Sequence, residues 1–173
     1  PWIAEALRIC ADPEVRLVTV LASIQSGKTL LARLYTCHVA ARAPGPTLIL
    51  QDNDQNARDF NLTALRPLWD QCPPVKGRLV PEMDRSSTIQ FDGMTAWVLG
   101  AHNEKNLQRR SIRHLIGDEC WLWPKGHLGE ASARVTAFGW LGKRIFMSQG
   151  GIAGDDFHVL HESTDQRDWC FRC

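Results

Sequence analysis

Residues 22–29, Ala-Ser-Ile-Gln-Ser-Gly-Lys-Thr, constrain this chain more than any other stretch, because an apolar run from Val15 to Leu21 precedes them and a segment of helical spacing starts at Leu30. A strand that feeds a tight turn and then a helix presents that helix's unpaired N–H groups, and the positive end of its dipole, to an anion. The spacing follows the phosphate-loop pattern G-x-x-x-x-G-K-S/T, with Ala22 where the first glycine would stand. In this reading Gln25, Ser26, Gly27, Lys28 and Thr29 form a nucleotide cradle. Gly27 lets the backbone approach the phosphates, Lys28 reaches the β and γ oxygens, and the Thr29 hydroxyl ligates magnesium. The alternative is a helix N-terminus that merely contains Gly-Lys-Thr.

The surrounding pattern is α/β. Residues 1–13 read as a short amphipathic helix that ends at Asp12-Pro13. Val15 to Leu21 is apolar on both faces, as expected of a central strand in a parallel sheet covered by helices. The helix after Thr29 carries Leu30, Leu31, Leu34, His38 and Ala41 on its apolar side and stops at Pro44-Gly45-Pro46. Residues 47–50 form a second strand, and a helix through Phe60, Leu62, Leu65, Leu68 and Trp69 ends before Pro73-Pro74. This β-α-β-α order favours a parallel sheet with right-handed crossovers. Residues 87–90 and 94–99 then read as a hairpin about Asp92-Gly93. Residues 112–116 form the strand leading to Gly117-Asp118-Glu119, residues 129–137 a helix, residues 144–148 a strand, and residues 155–164 a short helix. The expectation is one domain over residues 1–173 with a small β-hairpin insertion.

A strand ending in adjacent carboxylates downstream of a phosphate loop has a specific chemical use. Asp118 would hold magnesium, and Glu119 would accept a proton from the water that attacks the γ-phosphate. Ser148-Gln149, at the end of the next apolar strand, would touch the γ-phosphate or the attacking water, or else be a glycine-rich turn. Arg109 or Arg110 would stabilise charge on the transferring phosphoryl group, in its own or a neighbour's site. Otherwise Lys105, Arg109, Arg110 and Arg113 form a patch for a DNA backbone or a solvated face.

With 20 Lys and Arg against 19 Asp and Glu, the net charge of +1 offers no whole-chain attraction for a polyanion, so any such partner needs a local patch. No apolar run approaches the length of a membrane span, and no membrane association is expected. Of the six cysteines, Cys10, Cys37, Cys72 and Cys120 read as buried thiols. Cys170 and Cys173 have the spacing of half a zinc site, whose other half would be His158 and His161 or lie past residue 173; the alternative is two plain thiols. Trp69, Trp97 and Trp140 read as core, and Trp121 and Trp123 as lining a path from the nucleotide to DNA. The chain opens at Pro1 and stops at the second cysteine of that pair, which suggests a piece of a longer protein.

The order of these motifs resembles a known family. The octet at 22–29, the Asp12-Pro13-Glu14-Val15-Arg16 approach, Pro44-Gly45-Pro46, the run from Leu107 to Arg113, Gly117-Asp118-Glu119 and the closing Asp165-Gln166-Arg167 are similar to the ATPase domain of the large terminase subunit of lambda-like tailed bacteriophages. Ala22 and Gln25 suit the resemblance, since variant phosphate loops with glutamine two places before the glycine are common in terminases.

The resemblance implies a RecA-like (ASCE) P-loop NTPase fold in which the Ser148 strand lies between those leading to Gly27 and to Asp118. It implies Mg2+-dependent ATP hydrolysis by Lys28, Thr29, Asp118 and Glu119, and a trans-acting arginine near Arg109. It further implies translocation of double-stranded DNA into a procapsid, in the host bacterial cytoplasm, by a homo-oligomeric ring. That ring would be docked on the portal protein and served by the small terminase subunit. A nuclease domain would follow, outside this chain. One departure is that relatives commonly carry Ser or Thr, a small residue and proline where this chain has Ser148-Gln149-Gly150. Two other readings use the same loop and acidic pair: half of a helicase-like DExx ATPase, and a non-catalytic nucleotide-binding assembly module.

Overall fold

The computed structural model describes residues 2–81 and 85–170. Its elements are α1 (Trp2–Ala11), β1 (Leu17–Leu21), α2 (Lys28–Arg42), β2 (Thr47–Gln51), α3 (Asp54–Phe60), α4 (Arg66–Gln71), α5 (Pro73–Lys76), β3 (Thr88–Phe91), β4 (Met94–Gly100), α6 (Glu104–Leu107), β5 (His114–Gly117), α7 (His127–Ala133), β6 (Lys143–Ser148) and α8 (Asp156–Glu162). A π-helical turn, Asn61–Leu65, joins α3 to α4.

The strands form one six-stranded sheet in the order β1-β6-β5-β2-β4-β3. All neighbours are parallel except β3, which pairs antiparallel with β4 across the Asp92-Gly93 turn. The hairpin is therefore continuous with the sheet and forms one of its edges. As the resemblance implied, β6, ending in Ser148, lies between β1 and β5.

Alternation along the strands divides the core into two layers. Ile49, Ile116, Ile145 and Met147 face one side, packing with α1, α2 and the α3–α5 run. Leu48, Leu50, Leu115 and Phe146 face the other, with Trp123, α7 and α8. The fold is thus a parallel sheet covered on both faces by helices.

Several expectations are corrected. Leu17 to Leu21 is an edge strand, not a central one: among the described residues it pairs only with β6, none of its residues is fully buried, and Leu21 is 46% exposed. Its two apolar faces are explained by partial cover on both sides, from Leu17 in one core layer and Val18 and Val20 in the other. The buried side of α2 is Leu31, Ala32, Tyr35, Thr36 and Val39, with Leu30 exposed. Polar groups enter that side because each has a partner: Tyr35 Oη lies 2.9 Å from His114 Nδ1, and Thr36 Oγ1 accepts from Trp69 Nε1 at 3.0 Å. Trp140 is 71% exposed, Trp97 is half-buried, and Cys37 and Cys72 are only partly covered. The helix expected at 129–137 runs instead over His127–Ala133.

Candidate active site

Three adjacent parallel strands, β1, β6 and β5, end side by side and deliver Ala22, Ser148 and Asp118 to one edge of the sheet. The Ala22 amide donates to the Ser148 carbonyl at 3.1 Å, so the phosphate-type loop begins fastened to the end of β6. Within the loop Gln25 has φ 58 and Gly27 φ 96. At Gly27 the left-handed conformation calls for glycine, and a Cβ there would also displace the end of the Ile3 side chain, whose Cδ1 would lie 2.8 Å away. The N-terminus of α1 braces the same turn, with Trp2 Nε1 donating to the Ser26 carbonyl at 3.0 Å.

Lys28 is 4% exposed, and its Nζ donates to the carbonyls of Ala22 at 2.9 Å and Ser23 at 2.8 Å. Thr29 Oγ1 donates to Asp118 Oδ2 at 3.0 Å. Burial raises the pKa of Asp118 above the ordinary carboxylate value; the hydrogen bond from Thr29 works against this, and the neighbouring Glu119 adds to it. Glu119 sits in left-handed backbone, φ 51 and ψ 42, and its amide donates to Asp118 Oδ1 at 3.0 Å. A non-glycine residue held there carries strain of order 1–3 kcal/mol, which functional sites often retain. Here it turns two successive carboxylates in different directions.

Ser148 is buried, and its Oγ accepts the Trp121 amide at 3.1 Å. The hydroxyl is thus engaged with the segment after Glu119, while Gln149 follows it half-buried. Trp121 Nε1 donates to Glu119 Oε2 at 2.8 Å, and Trp123, in the core, donates to the Asp118 carbonyl at 3.1 Å. Trp2 and Ile3 do not stand out in the sequence because their contacts to the loop depend on tertiary placement, and Trp121, expected to line a path from nucleotide to DNA, instead bonds Glu119 and Ser148. The one signal in the chain was a tryptophan two places after Glu119.

The arrangement fits a magnesium nucleotide. A fifteen-residue helix begins at Lys28 with no side-chain cap, so its first N–H groups are unclaimed by a capping residue. The ammonium of Lys28 uses two of its three donors on the loop. The Ser26 hydroxyl is buried with no hydrogen-bond partner among the described residues. The Thr29 hydroxyl and Asp118 carboxylate are hard oxygen donors of the kind magnesium takes.

Arg109 is exposed, with φ 70, on the connection from α6 to β5. Arg110 is occupied: its guanidinium lies 5.4 Å from the Trp97 ring centroid, and Nη1 donates to the Asn106 carbonyl. His161 Nδ1 lies 2.8 Å from Thr19 Oγ1, and His158 Nδ1 accepts from the Gly154 amide. Cys170 is exposed and Cys173 lies outside the described residues. Among the described residues no group of three or more His, Cys, Asp or Glu side chains could hold a metal ion, and no helix is long and apolar enough to cross a membrane.

Comparison with known proteins gives a consistent picture. The family described as phage terminase large subunit gpA, ATPase domain, matches residues 1–173. No curated protein matches the sequence. Among solved structures, the large terminase of bacteriophage HK97 superposes with a TM-score of 0.77 at 14% identity, covering 94% of this chain and 36% of that one. The large terminase ATPase domain of Thermus phage P74-26 gives a TM-score of 0.59 at 15% identity, covering 79% and 61%. A large terminase from a thermophilic bacteriophage, in complex with ATP-gamma-S, gives 0.57 at 20% identity, covering 80% and 33%. This chain therefore spans just over a third of the length of the HK97 protein, and at these identities the likeness establishes the fold.

Proposed function

The chain belongs to the phage terminase large subunit gpA ATPase-domain family, and on that premise we propose that it hydrolyses ATP to drive double-stranded DNA into a procapsid. The observation that carries the reading is the hydrogen bond of 3.0 Å between Thr29 Oγ1 and Asp118 Oδ2, which joins the phosphate-type loop to the acidic strand end.

Lys28 and the uncapped start of α2 bind the β- and γ-phosphates. Thr29 and Asp118 would hold magnesium, which when bound neutralises charge on the phosphoryl group. Glu119 orients the attacking water and takes its proton. Ser148 ties the loop to the Glu119 segment through its carbonyl and hydroxyl, so a change at the phosphates is felt at the end of β6. Arg109, exposed on the connection from α6 to β5, acts on a neighbouring subunit's nucleotide in a homo-oligomeric ring. The ring docks on the portal in the host cytoplasm, together with the small terminase subunit.

The test is phosphate release from ATP by the chain, with and without magnesium and double-stranded DNA, alongside equilibrium binding of a fluorescent ATP analogue. Magnesium-dependent turnover is expected. Glu119→Gln should retain binding while turnover falls by about 10²–10⁴. Equal turnover in Glu119→Gln and wild type would remove Glu119 as the base, and binding without any turnover by the assembled ring would favour a non-catalytic assembly module.

A further inference from the structure

Trp121 has a part in this site that neither the loop motif nor the acidic pair assigns. It is 38% exposed, yet both of its N–H groups are committed: the indole Nε1 to Glu119 Oε2 at 2.8 Å and the backbone amide to Ser148 Oγ at 3.1 Å. Ser148 in turn accepts the Ala22 amide on its carbonyl. A chain of hydrogen bonds thus runs from the start of the loop, through the end of β6, to the carboxylate of Glu119. The loop after β6 closes on the same side chain, since a Cβ at Gly151 would lie 3.1 Å from Trp121 Cβ.

The geometry of a carboxylate decides what this tether does. Glu119 is half-exposed, on a flexible stem that leaves a left-handed backbone position. Without a fixed partner its two oxygens would sample many orientations, and a base that must meet a water within about 0.5 Å of the productive position loses rate when it wanders. An indole N–H donates and cannot accept, so it holds one oxygen without competing for a proton. Oε2 is held in this way, and Oε1 is the oxygen left to face the water.

We propose that Trp121 is a positioning residue for ATP hydrolysis: its indole N–H orients the Glu119 carboxylate, and its amide registers that orientation against Ser148. This inference rests on the ATPase reading above. Because Ser148 is joined to both the loop and Trp121, a shift of the loop on phosphate binding or release alters how Glu119 is held.

The experiment compares wild type with Trp121→Phe, which keeps a ring but removes the N–H, and Trp121→His, which keeps a ring N–H. Trp121→Phe is expected to lower kcat by about 10- to 100-fold with KM and ATP-analogue affinity unchanged, and Trp121→His to recover part of the loss. Equal kcat in wild type and Trp121→Phe, a higher kcat in the variant, equal defects in the Phe and His variants, or a parallel loss of nucleotide affinity would each overturn the tether. The second readout needs no turnover. With 5-fluorotryptophan incorporated at all seven tryptophans, the resonance missing from Trp121→Phe is that of Trp121. It should move in Glu119→Gln, where the carboxylate acceptor becomes an amide, and move again on addition of magnesium and a non-hydrolysable ATP analogue. An assembled wild-type ring without turnover would sink the ATPase reading, and the fluorine resonance would still decide the contact: a signal indifferent to Glu119→Gln overturns it.

Discussion

Thr29 Oγ1 and Asp118 Oδ2 lie 3.0 Å apart, so a single hydrogen bond fastens the first turn of α2 to the end of β5, across 89 positions of sequence. Asp118 is 2% exposed, and its burial disfavours the ionised form. A carboxylate held in that way costs stability until a cation joins it.

Asp118→Asn removes the buried charge and keeps one oxygen to accept the Glu119 amide, while its NH2 can donate to the Thr29 hydroxyl in place of the present bond. Without nucleotide the variant is expected to melt at the same temperature as wild type or a few degrees higher, at roughly 2–4 °C per kcal/mol for a chain of this size. The stabilisation that magnesium and an ATP analogue give to wild type should vanish. Scanning fluorimetry with and without ligand measures both, and a marked drop in the unliganded melting temperature would show the carboxylate to be structural.

Lys28→Ala acts on binding and turnover together. The ammonium bridges two loop carbonyls and has one donor to spare for phosphate, so its loss both loosens the loop and removes a charge from the site. ATP-analogue affinity should fall at least tenfold, and phosphate release should fall with it. Retained affinity with lost turnover would give Lys28 a transition-state role alone.

Mixed rings test Arg109. Subunits carrying Arg109→Ala and subunits carrying Glu119→Gln should each be inactive, yet a mixture should regain activity at interfaces that pair an intact site with an intact arginine. Steady-state hydrolysis across mixing ratios measures this. No recovery despite normal oligomerisation would assign Arg109 to its own subunit's site or to DNA.

Stability should depend on pH through His114. Its Nε2 faces the Ala43 carbonyl at 2.9 Å, which only accepts, so that nitrogen carries the proton and Nδ1 accepts from the Tyr35 hydroxyl. Burial, with the charge of Arg113 adding to it, lowers the pKa from 6.5 to about 4. Above pH 6.5 the ring is neutral in both states and makes no difference. Below it the unfolded chain takes up a proton that the folded chain refuses, so stability falls as pH drops from 6.5 towards 4, by about 3 kcal/mol in all. Urea denaturation at pH 7 and pH 5 should give a steeper loss for wild type than for His114→Gln, and identical slopes would contradict the burial effect.

What could be seen in the chain before folding was local or ordered. Residues 22–29 and Gly117-Asp118-Glu119 announce themselves because their chemistry is contiguous, and the ordered resemblance supplied the place of β6 between β1 and β5. The rest depends on what folding brings together. Leu17 to Leu21 looked central because both its faces are apolar, a pattern that half-covered edge residues share with fully buried ones. On α2, Tyr35 and Thr36 displaced Leu30 from the core, since His114 and Trp69 pair with their polar atoms. Trp140 followed the default for a large aromatic and stands in solvent instead. Trp2, Ile3 and Trp121 gain their relation to the loop and to Glu119 only in the folded chain.

The side-by-side order of β1, β6 and β5 also fixes when the site can exist during folding. β1 pairs with β6 across more than a hundred residues, with Leu21 opposite Ser148, and pairings of such long range carry a loop-closure cost that slows folding. A nascent or partly folded copy therefore has its lysine and its two carboxylates on segments that have not yet met. The loop lysine and the two carboxylates are brought to one end of the sheet only where β1, β6 and β5 lie side by side, and a segment that holds one of them alone is not the site.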